Sequence, residues 1–150
     1  MDKPARILVV DDNKNVRDTL KAILEREGYL VDYAVNGKEA IKKTEETSYN
    51  LALLDIRLPD MEGVELLKLM KDGVPRTRKI MVTGYPTMQN AISALNKNAD
   101  AYLVKPVDIK KLLQVVKDQL QLQADEIEYG ETKVAAFIES RVRELPANLP

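Results

Sequence analysis

The stretch "LALLD", residues 51–55, places four aliphatic residues in a row and stops on a carboxylate. A strand with one wet face alternates apolar with polar residues, and this one has no polar position before its end. It therefore predicts a strand covered on both faces, the condition of a central strand in a parallel sheet. The other apolar runs are consistent with that reading. "RILVV" (6–10), "KIMVTG" (79–84) and "AYLVK" (101–105) are continuous runs, whereas "LVDYA" (30–34) alternates as a strand near a sheet edge would.

Helical patterns fill the gaps between these strands. "NVRDTLKAILEREG" puts Val16, Leu20, Ile23 and Leu24 on one face, and Gly28 stands where a left-handed residue would end the helix. "NGKEAIKKTEE" opens on a turn pair. "GVELLKLMKD" is expected to run on to Gly73, "TMQNAISALNKNA" to close at Asn98, and "DIKKLLQVVKDQLQLQ" to start from Asp108 as its N-cap. Strand and helix thus alternate five times. Right-handed crossovers then place helices on both faces of a five-stranded, doubly wound parallel α/β sheet.

Composition narrows the chemistry. Of 150 residues none is cysteine and none is histidine, so disulfides, thiolate metal sites and phosphohistidine chemistry on this chain are excluded, and any metal must be a hard cation held by oxygen. The net charge of −1 supplies no global field for nucleic acid or an anionic membrane. Without an apolar run near the roughly 20 residues that span a bilayer, and with the first run ending in Asp-Asp, a cytoplasmic location is expected.

In open parallel sheets, ligands bind outside the carboxyl ends of the strands. Those ends carry Asp11 and Asp12 after the first strand, Asp55 after the third, Thr83 and Gly84 after the fourth, and Lys105 and Pro106 after the fifth. Three carboxylates on one rim suit Mg²⁺, which accepts a few protein oxygens and keeps its waters. With the cation present Asp55 can stay ionised and act as a nucleophile toward a phosphoryl group. Lys105 and the metal would neutralise charge on the transferring group, and Thr83 could hydrogen-bond one of its oxygens.

Five motifs, "ILVVDDN", "NGKEA", "LALLDIRLPDMEGVELL", "IMVTGY" and "NADAYLVKP", occur in order and at matching spacing. Through them residues 5 to 123 resemble the CheY-like receiver domain of two-component response regulators. The resemblance implies the flavodoxin-like strand order 2-1-3-4-5. It implies that Asp55 accepts a phosphoryl group from a histidine kinase or phosphotransfer protein. Asp12, Asp55 and the backbone carbonyl of Arg57 would ligate Mg²⁺, with Asp11 acting through water; Lys105 would pair with the phosphoryl, and the Lys105–Pro106 bond would be cis. It also implies a switch, in which Thr83 moves toward the phosphoryl, Tyr102 turns inward, and the face of the fourth helix, fifth strand and fifth helix changes for a downstream partner or for self-association. A regulatory phosphoacceptor is thus expected rather than an enzyme. The alternative is a Mg²⁺-dependent phosphohydrolase with an aspartyl-phosphate intermediate, but such enzymes usually carry the nucleophile on the first strand and need a cap insertion. Arg57 and Tyr85 flank the expected path of the hydrolytic water, and shielding by Tyr85 would slow loss of the phosphoryl.

The division read from the sequence is a receiver at 1–123 and a helical tail, or linker to a further output region, at 124–150. Val134, Phe137, Ile138, Val142 and Leu145 give the tail one apolar helical face, and Gly130 is expected to break or kink the helix. Packing back on the receiver, pairing of two protomers and connection to an output region all fit that face. Self-association or partner docking is favoured, and direct DNA binding by this chain is not expected.

Overall fold

A computed structural model of the chain describes residues 3–84, 87, 92–93 and 99–143. The elements run β1 (Arg6–Val10), α1 (Lys14–Arg26), β2 (Leu30–Ala34), α2 (Gly37–Glu46), β3 (Leu51–Asp55), α3 (Gly63–Leu69), β4 (Arg78–Thr83), β5 (Ala101–Val104) and a C-terminal helix, Ile109–Arg143. The five strands are all parallel and lie in the order β2-β1-β3-β4-β5. The helix expected over 87–99 falls mostly outside the described residues, as does its closing Asn98.

Each strand feeds two cores because successive side chains point to opposite faces. Leu8, Val10, Ala52, Leu54 and Met81 pack with Ala40, Leu66, Leu67 and Met70 of the α2–α3 side. Ile7, Val9, Leu51, Leu53, Ile80 and Val82 pack with Leu20 and Leu24 of α1 and with Leu112 and Val116 of the C-terminal helix. Leu51, Ala52, Leu53 and Leu54 are at most 1% exposed, so the quoted central strand is dry on both sides. Burying one such leucine stabilises the fold by roughly 1.5–3 kcal/mol.

Local chemistry sets the helix ends. Asn13 and Asn36 cap α1 and α2, their side chains accepting from the amides of Val16 and Glu39. Gly28 follows α1 at φ +93°, a conformation that residues with a Cβ rarely adopt. Asp108 Oδ1 accepts from the amides of Lys110 and Lys111 at the start of the C-terminal helix.

Two expectations are corrected. The third helix stops at Leu69 rather than near Gly73, because Met70 turns to extended backbone and the Lys71 amide donates to Thr44 Oγ1. Gly130 does not break the last helix, which runs unbroken for 35 residues. Helical propensity on both sides outweighs the cost of one glycine, about 1 kcal/mol.

An ion-pair cluster closes the end of the sheet opposite the strand carboxyl ends. Asp100 accepts from Arg76 at 2.8 and 3.0 Å, from Arg78 at 3.1 Å and from the Lys79 amide at 2.8 Å. Beside it, Gln123 Nε2 donates to the carbonyls of Asn50 and Arg76, and Arg78 reaches Glu126 at 3.1 Å. These contacts fasten the C-terminal helix to the receiver. From Ala124 to Arg143 every residue of that helix is exposed, so among the described residues the tail's apolar face does not pack back on the sheet. No described helix is long and apolar enough to cross a membrane.

Candidate functional site

The strand order brings the ends of β1, β3 and β5 together. Asp11 follows β1, and its amide donates to the Ala34 carbonyl at 3.2 Å while Arg17 donates to its own carbonyl at 2.9 Å. Its side chain is thereby held inward, 3% exposed, and Oδ1 accepts from the Asn13 amide. Asp12, next along, is exposed. Asp55 ends β3 and is 8% exposed, with Oδ1 accepting from the Arg57 amide at 3.3 Å. Carboxylate oxygens of Asp11, Asp12 and Asp55 all lie within 4.8 Å of one another.

One ammonium reaches two of them. Lys105 Nζ donates to Asp11 Oδ2 at 2.9 Å and to Asp55 Oδ2 at 3.3 Å. The Lys105–Pro106 peptide is cis, and the Lys105 amide donates to the Thr83 carbonyl at 2.7 Å, tying β5 to the end of β4. Three carboxylates facing one lysine leave the cluster with surplus negative charge. Burial pushes the Asp55 carboxyl above the usual carboxylate range; Lys105 opposes that shift and Asp11 adds to it. Burial acts to lower the Lys105 ammonium, but its hydrogen bond to Asp11 and the charges of both aspartates raise it on balance. A group of oxygens with excess negative charge, one member open to solvent, is a donor set for a hard divalent cation.

Thr83 is fully buried at the end of β4. In register Val82 sits beside Asp55, and Met81 beside Tyr102. Alternation along the strands then puts Thr83 and Tyr102 on the same face of the sheet, as diagonal neighbours. The Tyr102 hydroxyl oxygen is buried with no hydrogen-bond partner among the described residues, and burial raises its pKa. Tyr85, expected beside the site, lies outside the described residues.

The loop after β3 is more constrained than its sequence suggests. Leu58 N donates to the Met61 carbonyl, Gly63 N donates to the Ile56 carbonyl at 2.6 Å, and a Cβ at Gly63 would come within 2.2 Å of the Asp55 carbonyl oxygen. Asp60 caps α2 from across the fold, accepting from the amides of Gly37 and Lys38 at 2.9 Å each. The sequence reading missed this cap, and also Arg17, which reaches back from α1 to the Asp11 carbonyl ahead of the helix. A buried arginine on the apolar side of α1 was the available signal for the second; no local signal marks the first.

Known proteins share both the sequence and this architecture. Residues 7–117 match the family model described as the response regulator receiver domain. The regulatory protein AtoC of Escherichia coli is 37% identical over 119 residues, which are 79% of this chain and 26% of AtoC. The transcriptional regulatory protein SrrA of Staphylococcus aureus is 33% identical over 140 residues, 93% of this chain and 58% of SrrA. The chain thus spans about a quarter to three fifths of the length of the curated relatives it matches. A CheY-like receiver domain protein from Methanospirillum hungatei superposes with a TM-score of 0.79 at 47% identity, covering 83% of this chain and 99% of that one. A response regulator from Burkholderia pseudomallei, solved with a phosphorylated aspartic acid, a calcium ion and citrate, gives a TM-score of 0.68 at 32% identity over 85% of this chain and 72% of that one. With the family model matching most of its length, the chain belongs to the response regulator receiver domain family.

Proposed function

We propose that this chain is the phosphoacceptor of a two-component relay and that Asp55 takes the phosphoryl group. The observation that carries the reading is the placement of Asp55. It ends a fully buried strand, shares its site with Asp11 and Asp12, and has an ammonium 3.3 Å from Oδ2. The Burkholderia relative, solved with a phosphorylated aspartic acid, a calcium ion and citrate, supports the same assignment.

Asp55 attacks phosphorus, forming an O–P bond as the donor's bond to phosphorus breaks and the donor leaves with that electron pair. The donor is the phosphohistidine of a sensor kinase or phosphotransfer protein, since this chain has no histidine of its own. Asp11, Asp12, Asp55 and the Arg57 carbonyl are the oxygens that would hold Mg²⁺, which supplies charge neutralisation when bound. Lys105 is already on an Asp55 oxygen and pairs with the phosphoryl once Asp55 carries it.

Phosphorylation exchanges one negative charge for about two and adds three acceptor oxygens. Thr83 gains an acceptor, and β4 shifts with it. Tyr102, on the same sheet face with a buried hydroxyl that has no described partner, reorients into the space Thr83 leaves. A downstream protein reads the altered face around β5. The receiver occupies 1–123 and acts in the cytoplasm, with 124–150 as a tail or as a linker to a further output region.

The test is chemical. Incubated with a phosphorylated sensor kinase and Mg²⁺, the chain should acquire a hydroxylamine-labile acyl phosphate that maps to the peptide containing Asp55. A stable phosphoester on serine or threonine, or an acyl phosphate on another aspartate, would overturn the assignment.

A further inference from the structure

Helix α1 turns a charge toward the core. Arg17 lies on the same stripe as Leu20 and Leu24 and is buried with them, 9% exposed. Burying a cation is costly unless a partner answers it. The groups its guanidinium meets are neutral. Nη1 donates to the Asp11 carbonyl at 2.9 Å, Cζ stands 5.2 Å from the centroid of the Tyr33 ring, and Nε is buried with no hydrogen-bond partner among the described residues. A leucine would fill this stripe at lower cost, so core packing does not explain the arginine.

What Arg17 holds is the backbone of the acidic cluster. Asp12 is exposed, and its direction is set by the two planar peptide groups that flank its Cα. The Asp11–Asp12 peptide is held by its carbonyl, which is the acceptor of Arg17. The Asp12–Asn13 peptide is held by its N–H, which donates to Asp11 Oδ1 at 2.9 Å. Asp11 is fixed on its other side by its own amide, bonded to the Ala34 carbonyl at 3.2 Å. With both planes pinned, φ and ψ of Asp12 are set, and its carboxylate leaves the chain in one direction.

We propose that Arg17 is a positioning residue of the cation site: by pinning the Asp11–Asp12 peptide it places Asp12 before Mg²⁺ arrives. The inference rests on the reading of Asp11, Asp12 and Asp55 as that site. Charge alone gives the opposite sign. A fixed cation near three carboxylates competes with Mg²⁺ for them, so neutralising it would tighten binding. Pinning adds affinity, because less order has to be imposed when the ion binds. The direction of the change on removing Arg17 therefore tells the two effects apart.

The test is a titration of the full chain with magnesium chloride, followed by the amide resonances of Asp12, Asp55 and Arg57. Arg17→Met keeps an unbranched apolar stem and loses both the charge and the donor, and the same spectrum shows whether the receiver is folded. It should bind Mg²⁺ about tenfold more weakly than the parent. Arg17→Lys keeps the charge and a donor on a shorter stem, and should recover part of that loss. Parental binding by folded Arg17→Met overturns the inference, and so does tighter binding, the result of charge alone. An Arg17→Lys chain that binds no better than Arg17→Met overturns it too. If Arg17→Met does not fold, Arg17→Lys decides: it should bind more weakly than the parent, and parental or tighter binding overturns the inference. A parent whose three resonances ignore Mg²⁺ overturns the cation site itself and the inference with it, whereas every other adverse result leaves that site standing.

Discussion

Replacing Gly63 with alanine should cost this fold far more than one methyl group suggests. The added Cβ would lie 2.2 Å from the Asp55 carbonyl oxygen, 2.9 Å from Ile56 Cα and 2.9 Å from Met81 Cε. Met81 can swing its terminal methyl aside. The other two atoms belong to the backbone of β3 and the residue after it, which is anchored in the centre of the sheet and bonded to the Gly63 amide at 2.6 Å. Relief requires α3 to retreat by about an ångström, breaking that hydrogen bond and opening the contacts of Leu66 and Leu67, both nearly inaccessible. Overpacking together with a lost buried hydrogen bond gives about 3 kcal/mol or more, which in a domain of this size lowers Tm by roughly 6–12 °C. Gly84 is the internal control, since a Cβ there meets nothing within 4 Å among the described residues and Gly84→Ala should change stability by less than about 0.5 kcal/mol. Denaturant unfolding of the three proteins reads the difference. Equal stability for Gly63→Ala and Gly84→Ala would refute the claim that α3 is seated against the strand bearing Asp55.

Further predictions concern the charges. Burial raises the Asp55 carboxyl, so the fold favours its protonated form; that contribution is present below the unfolded pKa and lost as pH rises through the folded one. Asp55→Asn should therefore raise Tm at neutral pH without divalent cation, and the gain should vanish in acid; a gain independent of pH would contradict it. Asp100 has the opposite sign. Burial acts to raise it, but the Arg76 hydrogen bond and the other cations around it hold it below the usual range, so its contribution is present at neutral pH and lost in acid. Asp100→Asn leaves Arg78 buried without that carboxylate and should cost about 3 kcal/mol at pH 7, shrinking as pH falls, measured by denaturation across pH. Lys105→Ala strips the shared ammonium from Asp11 and Asp55 and should cost about 1–3 kcal/mol in chelator; Mg²⁺ should stabilise this variant more than the parent, compared by thermal melts with and without the ion.

Much of the fold was legible because its signals are local. Four aliphatic residues before Asp55, the left-handed glycine at Gly28 and the cap at Asp108 each declare themselves within a few positions. The rim could be assembled from strand ends because a parallel sheet puts all carboxyl ends on one edge. What stayed hidden depends on partners far apart in the chain. Asp60 caps a helix 23 residues earlier, Gln123 bonds to Asn50 across 73 residues, and Asp100 gathers Arg76 and Arg78. The early end of α3 and the unbroken helix at Gly130 were misread for a related reason. One has an outside acceptor for its next amide, and the other is governed by the helix on both sides rather than by the glycine itself.

The central claim is that Asp55 is the phosphoacceptor. The most direct test is the intact mass of the chain after incubation with Mg²⁺ and a small phosphodonor such as acetyl phosphate, beside Asp55→Asn treated identically. One added phosphoryl per parent chain and none on the variant is the expected result. Uptake by Asp55→Asn at the parental rate would contradict it.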